Sequence, residues 1–268
     1  MIKPDILTDP SRLFDVREKV AIVTGATGAL GGMACRILAA AGARLVLADA
    51  PDRPLTEMEQ TCAGLGAQVE RVERLPKSTE DCDAIVEAAK NRFGRVDILL
   101  VASGMNDVDP IVDLSLDRFE AVMEANTTDS WRMCKTVGRV MIEQGDGGKV
   151  IMVSSTRGIL GHPAGYTAYC ASKGAIDGIT RALACEWGKY GITVNALGPT
   201  VFRSPLTAWM FEDTERGRET RDAMLSRIPL GRLGEPEDLA GPLLFLASAA
   251  SDFYTGHVLY ADGGYSAG

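Results

Sequence analysis

The sequence of 268 residues predicts an α/β fold, in which a single domain is built on a doubly wound parallel sheet of about seven strands with helices on both faces. Short apolar runs of the kind found in buried strands, such as 20–23 and 98–102, alternate along the chain with longer helical patterns. A glycine-rich turn follows the first of these runs and precedes a helix. Polar residues and glycines follow several of the runs, and parallel pairing would bring them to one edge of the sheet.

Composition and charge narrow the classes of partner. The formal charge of −8 argues against nucleic acid or an anionic membrane as the main partner. The six cysteines show no CxxC spacing, which is typical of reduced thiols, and with only two histidines we expect no histidine metal site. The sequence has no run of about 18 apolar residues and no signal-peptide pattern near its start. We therefore expect a soluble, cytoplasmic protein that acts on a small molecule.

The first part of the chain carries a candidate phosphate-binding turn. After a polar N-terminal arm (1–18) and the first strand comes Thr24-Gly-Ala-Thr-Gly-Ala-Leu-Gly31, followed by a helix predicted over Met33–Ala41. Glycines let the backbone approach a pyrophosphate, and the next helix offers unpaired N–H groups to it. The second strand, Arg44–Ala48, ends at Asp49, whose carboxylate would accept hydrogen bonds from an adenosine ribose and repel a 2′-phosphate. The alternative is a solvated loop aspartate.

The middle of the chain continues the alternation of strands and helices. We predict a third strand over Val69–Leu75, a helix over Thr79–Arg92, a fourth strand over Ile98–Ala102 and a long helical run over Ser115–Glu143. Ser103 and Gly104 follow the fourth strand, so they would join the glycine-rich turn at the carboxyl edge of the sheet. Asn126 lies near the middle of the helical run.

Residues 149–174 carry the most specific chemistry. A buried strand, Val150–Val153, ends in two serines, and a helix that opens on Tyr169 places Lys173 one turn further along the same face. Moving a hydride between a nicotinamide and a carbon also moves a proton at the oxygen, and an ordinary tyrosine, with a pKa of about 10, is too weakly acidic for this near neutrality. A Lys173 ammonium would lower the pKa of Tyr169, and Ser155 would hydrogen-bond the substrate oxygen. The alternative is a chance spacing on an unrelated helix.

The last third of the chain completes the predicted sheet. The helix that carries Tyr169 continues to about Tyr190, a sixth strand covers Ile192–Leu197, a helix capped by Gly234–Asp238 runs to Ala249, and a seventh strand begins at His257. Pro199 follows the sixth strand and would lie at the same carboxyl edge. Residues 205–227 are charged and weakly periodic, which is compatible with a plain surface helical hairpin.

The serine and the Tyr169-x-x-x-Lys173 pair, together with the glycine-rich turn, resemble the short-chain dehydrogenase/reductase family over nearly the whole chain. The resemblance implies that Lys173 also holds the nicotinamide ribose and that Asn126 supports a proton relay. The commonest family spacing would place the catalytic serine at Thr156. We choose Ser155, because it is the second serine of the strand-end pair. The predicted catalytic set is therefore Asn126, Ser155, Tyr169 and Lys173.

The same resemblance assigns the cofactor site. Gly198–Ser204 resembles the family's PGxxxT loop, in which the backbone of Phe202 and the hydroxyl of Ser204 would hold the nicotinamide carboxamide. The predicted cofactor contacts are Gly25, Thr27, Gly28, Leu30, Gly31, Asp49, Ala102, Ser103, Gly104, Tyr169, Lys173, Pro199, Phe202 and Ser204. The chain departs from the family pattern at Ala29, which replaces the middle glycine of the turn, and at Val101–Gly104, where most relatives have NNAG.

The resemblance also predicts where the substrate lies. Residues 205–227 would form a mobile lid over it. The predicted substrate contacts are Arg157, His162, Tyr166 and Trp209. Arg157 would clamp a substrate carboxylate through two parallel hydrogen bonds. The alternative is that Arg157 pairs with an acid of the lid or of a neighbouring subunit.

Apolar residues on the helices around Asn126 and Tyr169 predict assembly. These residues are Trp131, Met133, Ile176, Ile179 and Leu183. Because relatives pair such helices into dimers and tetramers, the resemblance implies a homo-oligomer, in our prediction a homotetramer. The alternative is that these residues face the sheet, as about half of the apolar residues on such helices must.

We therefore predict an NAD-dependent oxidoreductase that acts on a secondary alcohol or ketone. The segment ASDFYTGHVLYADGG resembles the gluconate 5-dehydrogenase and deoxygluconate dehydrogenase branch of the family, which implies a sugar acid or polyol as substrate. Asp49 favours NAD(H), although Arg53 is close enough to receive a 2′-phosphate. The enzymatic alternative is an NADPH-dependent 3-oxoacyl-thioester reductase, and the alternative from another class is a non-catalytic dinucleotide sensor or scaffold.

Overall fold

A computed structural model describes residues 4–204 and 207–268, and its centre is a parallel sheet of seven strands in the order β3-β2-β1-β4-β5-β6-β7. The strands are β1 (Val20–Thr24), β2 (Arg44–Ala48), β3 (Val69–Val72), β4 (Ile98–Val101), β5 (Gly148–Val153), β6 (Ile192–Pro199) and β7 (Val258–Ala261). The helices are α1 (Pro4–Thr8), α2 (Ala29–Ala40), α3 (Leu55–Gly64), α4 (Thr79–Phe93), α5 (Leu116–Met123), α6 (Asp129–Gln144), α7 (Thr167–Trp187), α8 (Glu215–Leu225) and α9 (Ala240–Ala247). The predicted doubly wound sheet is thereby confirmed.

Two hydrophobic cores lie on opposite faces of the sheet. Successive residues of a strand point to opposite faces, so Ala21 and Val23 of β1 pack with α2, α3 and α9, whereas Val20 and Ile22 pack with α4, α6 and α7. All five residues of β1 and all eight of β6 are buried. The continuous apolar runs in the sequence are therefore those of strands covered on both faces.

The strand registers bring the chemically important loops together at one edge. Thr24 pairs with Ala48 of β2 and with Val101 of β4. Val153 of β5 pairs with Leu197 of β6. Because all strands run in parallel, the residues that follow these strand ends gather at the carboxyl edge, as the sequence predicted.

Several predicted boundaries are wrong, and each error has a local cause. The helix after the first strand begins at Ala29, not Met33, because the carbonyl oxygen of Gly28 already accepts from the N–H of Gly32 at 2.7 Å. The third strand ends at Val72 instead of Leu75. Helix α3 between the second and third strands was not predicted. Its ends are marked only by Pro54 and by a glycine, which are weak signals for a short helix.

The long helical run predicted over 115–143 is interrupted. A π-turn at Glu124–Thr128 separates α5 from α6 and contains Asn126. A π-turn inserts one extra residue into the helix, so the side chains after it are rotated relative to those before it. The insertion is difficult to detect from hydrophobic periodicity, because the pattern of 3.6 residues resumes after the π-turn.

The predicted lid forms a small unit of its own. A 3₁₀ turn at Ala208–Phe211 and α8 carry residues that pack with Tyr265 near the C-terminus, including Met210 and Met224. Positions 205 and 206 of the predicted lid, and positions 1–3 of the predicted arm, lie outside the described residues. Within the described ranges, no helix is long and apolar enough to cross a membrane.

Candidate active site

The glycine-rich turn is held tightly against the end of β4. Gly25 has a φ of +67°, and a Cβ there would lie 2.7 Å from the backbone nitrogen of Ser103. A Cβ at Gly31 would overlap the carbonyl oxygen of Gly25. Both positions therefore require glycine. Ala29, which departs from the family pattern, begins α2 directly after its N-cap residue Gly28 and leaves the helix intact.

Asp49 holds this turn from the end of β2. One carboxylate oxygen, Oδ2, accepts from the backbone N–H of Thr27 at 2.9 Å and from its hydroxyl at 2.6 Å. The other oxygen accepts from the N–H of Ala50 at 2.9 Å. Asp49 is only 6% exposed. The alternative of a solvated loop aspartate is therefore wrong, and Asp49 is part of the structure of the turn.

The segment after β4 lies between this turn and the π-turn. The hydroxyls of Ser103 and Thr24 are 3.0 Å apart and hydrogen-bonded. Asn126 accepts from the N–H of Met105 at 2.7 Å and donates to its carbonyl oxygen at 2.9 Å. A Cβ at Gly104 would lie 2.7 Å from Oδ1 of Asn126, so only glycine leaves room for this amide. The asparagine of the π-turn thus fixes the loop that follows the fourth strand.

Asn126 also reaches the helix that carries the predicted tyrosine. Its Nδ2 donates to the hydroxyl of Ser172 at 2.9 Å, and this hydroxyl donates to the carbonyl oxygen of Tyr169 at 2.8 Å. Asn126 is 1% exposed and Ser172 is fully buried. The contact positions α7 against the π-turn, and the sequence analysis missed Ser172 because its hydroxyl gave no separate signal within the Tyr169–Lys173 motif.

Ser155 and Tyr169 meet at the centre of the site. Their hydroxyls are hydrogen-bonded, and this bond lowers the pKa of Tyr169, but burial raises that pKa more strongly. The backbone N–H of Arg157 donates to Oγ of Ser155 at 3.1 Å, which fixes the serine at the start of a 3₁₀ turn over 156–158. The choice of Ser155 over Thr156 as the catalytic serine stays a prediction.

Lys173 lies beneath the tyrosine rather than at its hydroxyl. Its Nζ donates to the carbonyl oxygen of Val153 at 2.7 Å and lies 5.5 Å from the centre of the Tyr169 ring. Burial lowers the pKa of Lys173 to about 8, although the charge of Asp177 acts in the opposite direction. The pKa of Tyr169 is nevertheless raised overall, so the predicted contribution of Lys173 stays a prediction. The reason is that burial dominates at both groups.

The first serine of the strand-end pair has a different partner. Oγ of Ser154 donates to Oδ1 of Asp177 at 2.5 Å, and both residues are buried. The sequence analysis missed Asp177, although its position four residues after Lys173 was a visible signal. Tyr169, Lys173 and Asp177 lie on one face of α7 at helical spacing.

Arg157 is held by contacts within the protein. It is 8% exposed, and its guanidinium donates to the carbonyl oxygen of Gly161 at 2.7 Å and to the hydroxyl of Tyr265 at 2.9 Å. Among the described residues these partners include no acid of the lid, and the carboxylate clamp and a contact with a neighbouring subunit stay predictions. A buried guanidinium must satisfy its donors locally, and a carbonyl and a phenol do so.

Two of the other predicted substrate residues, His162 and Tyr166, lie near each other. The rings of His162 and Tyr166 are 4.5 Å apart, and those of Tyr166 and Tyr169 are 6.3 Å apart, edge to face. Burial lowers the pKa of His162, and the nearby cations Arg157 and Arg227 lower it further. A neutral His162 and the hydroxyl of Tyr166 can therefore exchange hydrogen bonds with a substrate beside Tyr169.

The predicted carboxamide loop is only partly free to bind. Oγ1 of Thr207 donates to the carbonyl oxygen of Phe202 at 2.6 Å and shares a hydrogen bond with the hydroxyl of Ser204 at 3.0 Å. Pro199 ends β6, where its carbonyl oxygen faces Oγ of Ser155 at 3.5 Å. Trp209 of the predicted lid stacks under Arg216, whose guanidinium carbon lies 4.5 Å from the ring centre.

The residues present fit a dinucleotide. No side chain among the described residues caps the N-terminus of α2, so its first N–H groups remain available to a pyrophosphate. Leu30 packs on the core and anchors α2 in this position. Ala102 and Ser103 border the turn on the side of β4. Within residues 4–204 and 207–268, no group of three or more His, Cys, Asp or Glu side chains is arranged to hold a metal ion.

Comparisons with known proteins agree with this geometry. The family model described as enoyl-(acyl carrier protein) reductase matches residues 25–266. An uncharacterized oxidoreductase of Mycobacterium tuberculosis is 53% identical over 95% of this chain and 93% of its own length. The 2-dehydro-3-deoxy-D-gluconate 5-dehydrogenase of Dickeya dadantii is 38% identical over 95% of this chain and 98% of its own. The crystal structure of a gluconate 5-dehydrogenase from Burkholderia cenocepacia, in complex with NADP and tartrate, superimposes with a TM-score of 0.89 at 28% identity, over 97% of this chain and 99% of that one.

Proposed function

The chain belongs to the short-chain dehydrogenase/reductase family and is an oxidoreductase, and from this premise we propose that it interconverts a secondary alcohol and a ketone of a sugar acid or polyol with NAD(H). The observation that carries the proposal is the meeting of Ser155, Tyr169 and Lys173 at the carboxyl edge of the sheet, beside a turn that fits a dinucleotide. A protein that only binds a dinucleotide needs no proton donor, so this set also argues against a sensor or scaffold.

Each residue of the set has a chemical role in the proposal. A bound nicotinamide dinucleotide supplies the hydride donor or acceptor. Tyr169 exchanges a proton with the substrate oxygen, and Ser155 donates a hydrogen bond to that oxygen as charge develops on it. Lys173, as an ammonium, favours the phenolate of Tyr169 and donates to the ribose of the cofactor. Asn126 orders α7 through Ser172 and so keeps Tyr169 and Lys173 in register.

The substrate class draws its support from the relatives. The Dickeya dadantii protein carries the name of a sugar-acid dehydrogenase, and the Burkholderia cenocepacia structure that of a gluconate dehydrogenase. The family model has the name of an enoyl-(acyl carrier protein) reductase, which concerns an acyl thioester but a C=C bond, so it supports the 3-oxoacyl-thioester alternative only through the acyl group. The neutral His162 and the Tyr166 hydroxyl suit a substrate with several hydroxyl groups better than an acyl chain.

The preference for NAD(H) draws its support from Asp49. Its carboxylate lies at the end of β2 and is 6% exposed. A 2′-phosphate beside this charge would be repelled, whereas ribose hydroxyls would donate to it. No lysine or arginine occurs in the turn from Thr24 to Gly31 that could offset the repulsion. The NADP in the Burkholderia cenocepacia structure belongs to that protein, so a direct comparison of both cofactors is required.

One experiment tests the function directly. The purified protein is assayed with NAD⁺ and NADP⁺ against gluconate, short polyols and plain secondary alcohols, and in the reverse direction against a 3-oxoacyl thioester, by absorbance of the reduced nicotinamide. We expect the highest kcat/KM with a sugar acid or polyol and NAD(H), and loss of the signal in Tyr169→Phe. A higher kcat/KM for the acyl thioester with NADPH would overturn the substrate class and the cofactor preference together.

We also propose a homo-oligomer, for which a groove between α6 and α7 is the support. The groove has a volume of about 440 Å³ and is lined by Trp131, Lys135, Leu183, Glu186 and Trp187, among others. Trp131 is 47% exposed. Apolar and oppositely charged residues in one patch suit an isologous contact, in which the same patch of two copies meets. Met133 and Ile176, in contrast, are buried in the core, so the prediction that they mediate assembly is wrong.

The proposed compartment is the cytoplasm, and the cysteines are its support. All six are free, and four of them are buried. Burial raises the pKa of the Cys35, Cys82 and Cys134 thiols, which keeps these groups protonated and unreactive. Free thiols without disulfides are the usual state of proteins in a reducing compartment.

A further inference from the structure

We propose that Asp177 is a positioning residue of this active site, which fixes the end of β5 through Ser154 and keeps the side chain of Lys173 in its cationic form. The inference rests on the proposed function, in which Lys173 acts as an ammonium beside Tyr169 and the cofactor ribose. Asp177 touches neither a substrate nor the reacting atoms, and its effect passes through the two residues that it contacts or faces.

The first support is the way in which α7 meets β5. Tyr169, Lys173 and Asp177 follow one another at intervals of four residues, so their side chains form one row on α7. Each of them contacts one of three consecutive residues at the end of β5: Tyr169 with Ser155, Lys173 with Val153 and Asp177 with Ser154. The position of the catalytic serine relative to the helix therefore depends on all three contacts, and Asp177 holds the residue directly before Ser155.

The second support is the environment of the carboxylate. Asp177 is 3% exposed, and its Oδ1 accepts from Ser154 at 2.5 Å. Its Oδ2 is buried and has no hydrogen-bond partner among the described residues. Gly158 leaves the space that Oδ2 occupies, since a Cβ there would collide with it. A buried carboxylate with one unpartnered oxygen destabilises a fold, and an asparagine could accept the same hydrogen bond. The negative charge therefore has a purpose other than packing.

The third support is the set of charges around Asp177. On its own helix, Lys173 lies one turn before it and Arg181 one turn after it. Burial raises the pKa of Asp177, and the hydrogen bond from Ser154 and the charges of both cations oppose that rise. From β5 it receives the Ser154 hydroxyl, and from β7 it faces Tyr260, whose pKa rises to about 12 through burial and the nearby acids. Asp177 in turn raises the pKa of Lys173, while burial lowers it to about 8. With the carboxylate removed, burial of Lys173 would be unopposed.

The consequence concerns the working pH of the enzyme. A neutral Lys173 no longer favours the phenolate of Tyr169 and is a weaker donor to the ribose. Because a carboxylate near an ammonium typically raises its pKa by one unit or more, loss of the Asp177 charge should remove the ammonium at a lower pH. The alkaline limit of cofactor binding and of turnover should move down together.

The test compares variants that separate charge from shape. Asp177→Asn keeps the size of the side chain and an acceptor for Ser154 but removes the charge. NADH affinity, measured by fluorescence titration from pH 6 to pH 10, should decline at a pH about one unit lower than in the wild type, and the alkaline limb of kcat/KM should shift by the same amount. Asp129→Asn, the same change at another buried acid outside the site, should leave both profiles in place.

One further variant keeps the proposal open to refutation. Asp177→Glu retains the charge, so its profiles should coincide with those of the wild type even if its melting temperature falls. A displaced limb in Asp177→Glu, or coincident wild-type profiles in Asp177→Asn with only a lower melting temperature, would overturn the proposal and leave Asp177 a structural residue. Because the NADH titration needs no substrate, these outcomes are independent of the proposed substrate class, which fails separately if the wild type turns over no sugar acid or polyol.

Discussion

The guanidinium of Arg157 donates to the hydroxyl of Tyr265 at 2.9 Å and thereby ties the loop after β5 to the C-terminal segment. Tyr265 is 1% exposed and packs among residues of the predicted lid, and Arg227 lies over its ring at 4.3 Å. The loop that carries Ser155, the lid and the C-terminus are therefore joined through one phenol. Substitutions of Tyr265 should therefore affect both the loop after β5 and the lid, which together form the substrate side of the site.

This contact leads to a prediction for Arg157→Met. The change removes the hydrogen bonds to Gly161 and Tyr265, so we expect kcat/KM to fall by a similar factor for matched substrates with and without a carboxylate. Tyr265→Phe removes the hydroxyl and leaves one donor of Arg157 without a partner, so it should destabilise the fold by about 1–3 kcal/mol in urea unfolding. A loss in Arg157→Met confined to the acidic substrate would instead show that the arginine reads the carboxylate.

The contact between Asp49 and Thr27 leads to a prediction about cofactor choice. Asp49→Ala removes the charge that repels a 2′-phosphate, so the ratio of kcat/KM for NAD(H) to that for NADP(H) should narrow by about tenfold or more, equivalent to about 1.4 kcal/mol. Thr27→Val is the matched control, because it breaks the side-chain hydrogen bond and leaves the carboxylate in place. It should reduce stability without narrowing the ratio. A wild-type enzyme that already prefers NADPH would refute the assignment of Asp49.

The raised pKa of Tyr169 leads to a prediction about pH. Oxidation of the substrate needs the phenolate of Tyr169, so kcat/KM for oxidation should rise with pH beyond neutrality. Reduction needs the protonated phenol, so kcat/KM for reduction should decline only at alkaline pH. The hydrogen bond from Ser155 lowers this pKa, so Ser155→Ala should move the rising limb of oxidation to higher pH and also reduce turnover.

Tyr169→Phe provides the complementary measurement. Turnover should fall by at least ~10²-fold, the low end of a general-acid contribution, while cofactor affinity is retained. Lys173→Ala should reduce both. Near-normal turnover in Tyr169→Phe would mean that another group exchanges the proton with the substrate. Tyr166, whose ring lies 6.3 Å away, is the neighbouring candidate.

The groove between α6 and α7 leads to a prediction about assembly. Trp131→Glu places an acid beside Glu143 and Glu186 in the patch that two copies would share, so it should shift sedimentation toward the 28.6 kDa species. Leu65→Glu is the control, since Leu65 is 46% exposed at the end of α3, a helix that does not line the groove. A wild type that sediments only as the 28.6 kDa species at micromolar concentration would remove the hypothesis.

Features that depend on a local sequence pattern could be predicted from the sequence alone. The strands around Thr24, Asp49 and Ser155 follow from apolar runs and from the residues that end them, and the Tyr169–Lys173 pair follows from helical spacing. The start of α2 was misplaced because Gly31 and Gly32 are poor helix formers. Their presence inside a helix is explained only by packing, of Gly31 against Gly25 and of Gly32 against Met58.

Contacts between segments that are distant in the chain could not be predicted from the sequence. Arg157 and Tyr265 are separated by 108 positions, and nothing in the local pattern of either residue indicates the other. The π-turn that orients Asn126 was hidden by an apolar periodicity that resumes after it. Asp177 is different, since its spacing from Lys173 is a local pattern, and extending the Tyr169–Lys173 row by one turn would have found it.

The buried Asp129 leads to a prediction about stability. Burial raises its pKa from 3.8 to about 6, against the opposing charge of Arg132. The folded protein therefore holds this proton more tightly than the unfolded chain, so the group's contribution is most favourable below about pH 4 and is lost as the pH rises to about 6. Asp129→Asn should accordingly stabilise the protein at pH 7 by roughly 2–3 kcal/mol and flatten the pH dependence between pH 4 and pH 6. Arg132 keeps its ion pair with Glu124 at 2.6 Å in this variant. Urea unfolding at a series of pH values measures both effects, and a variant less stable than the wild type at pH 7 would show that the pairing with Arg132 outweighs the burial of the charge.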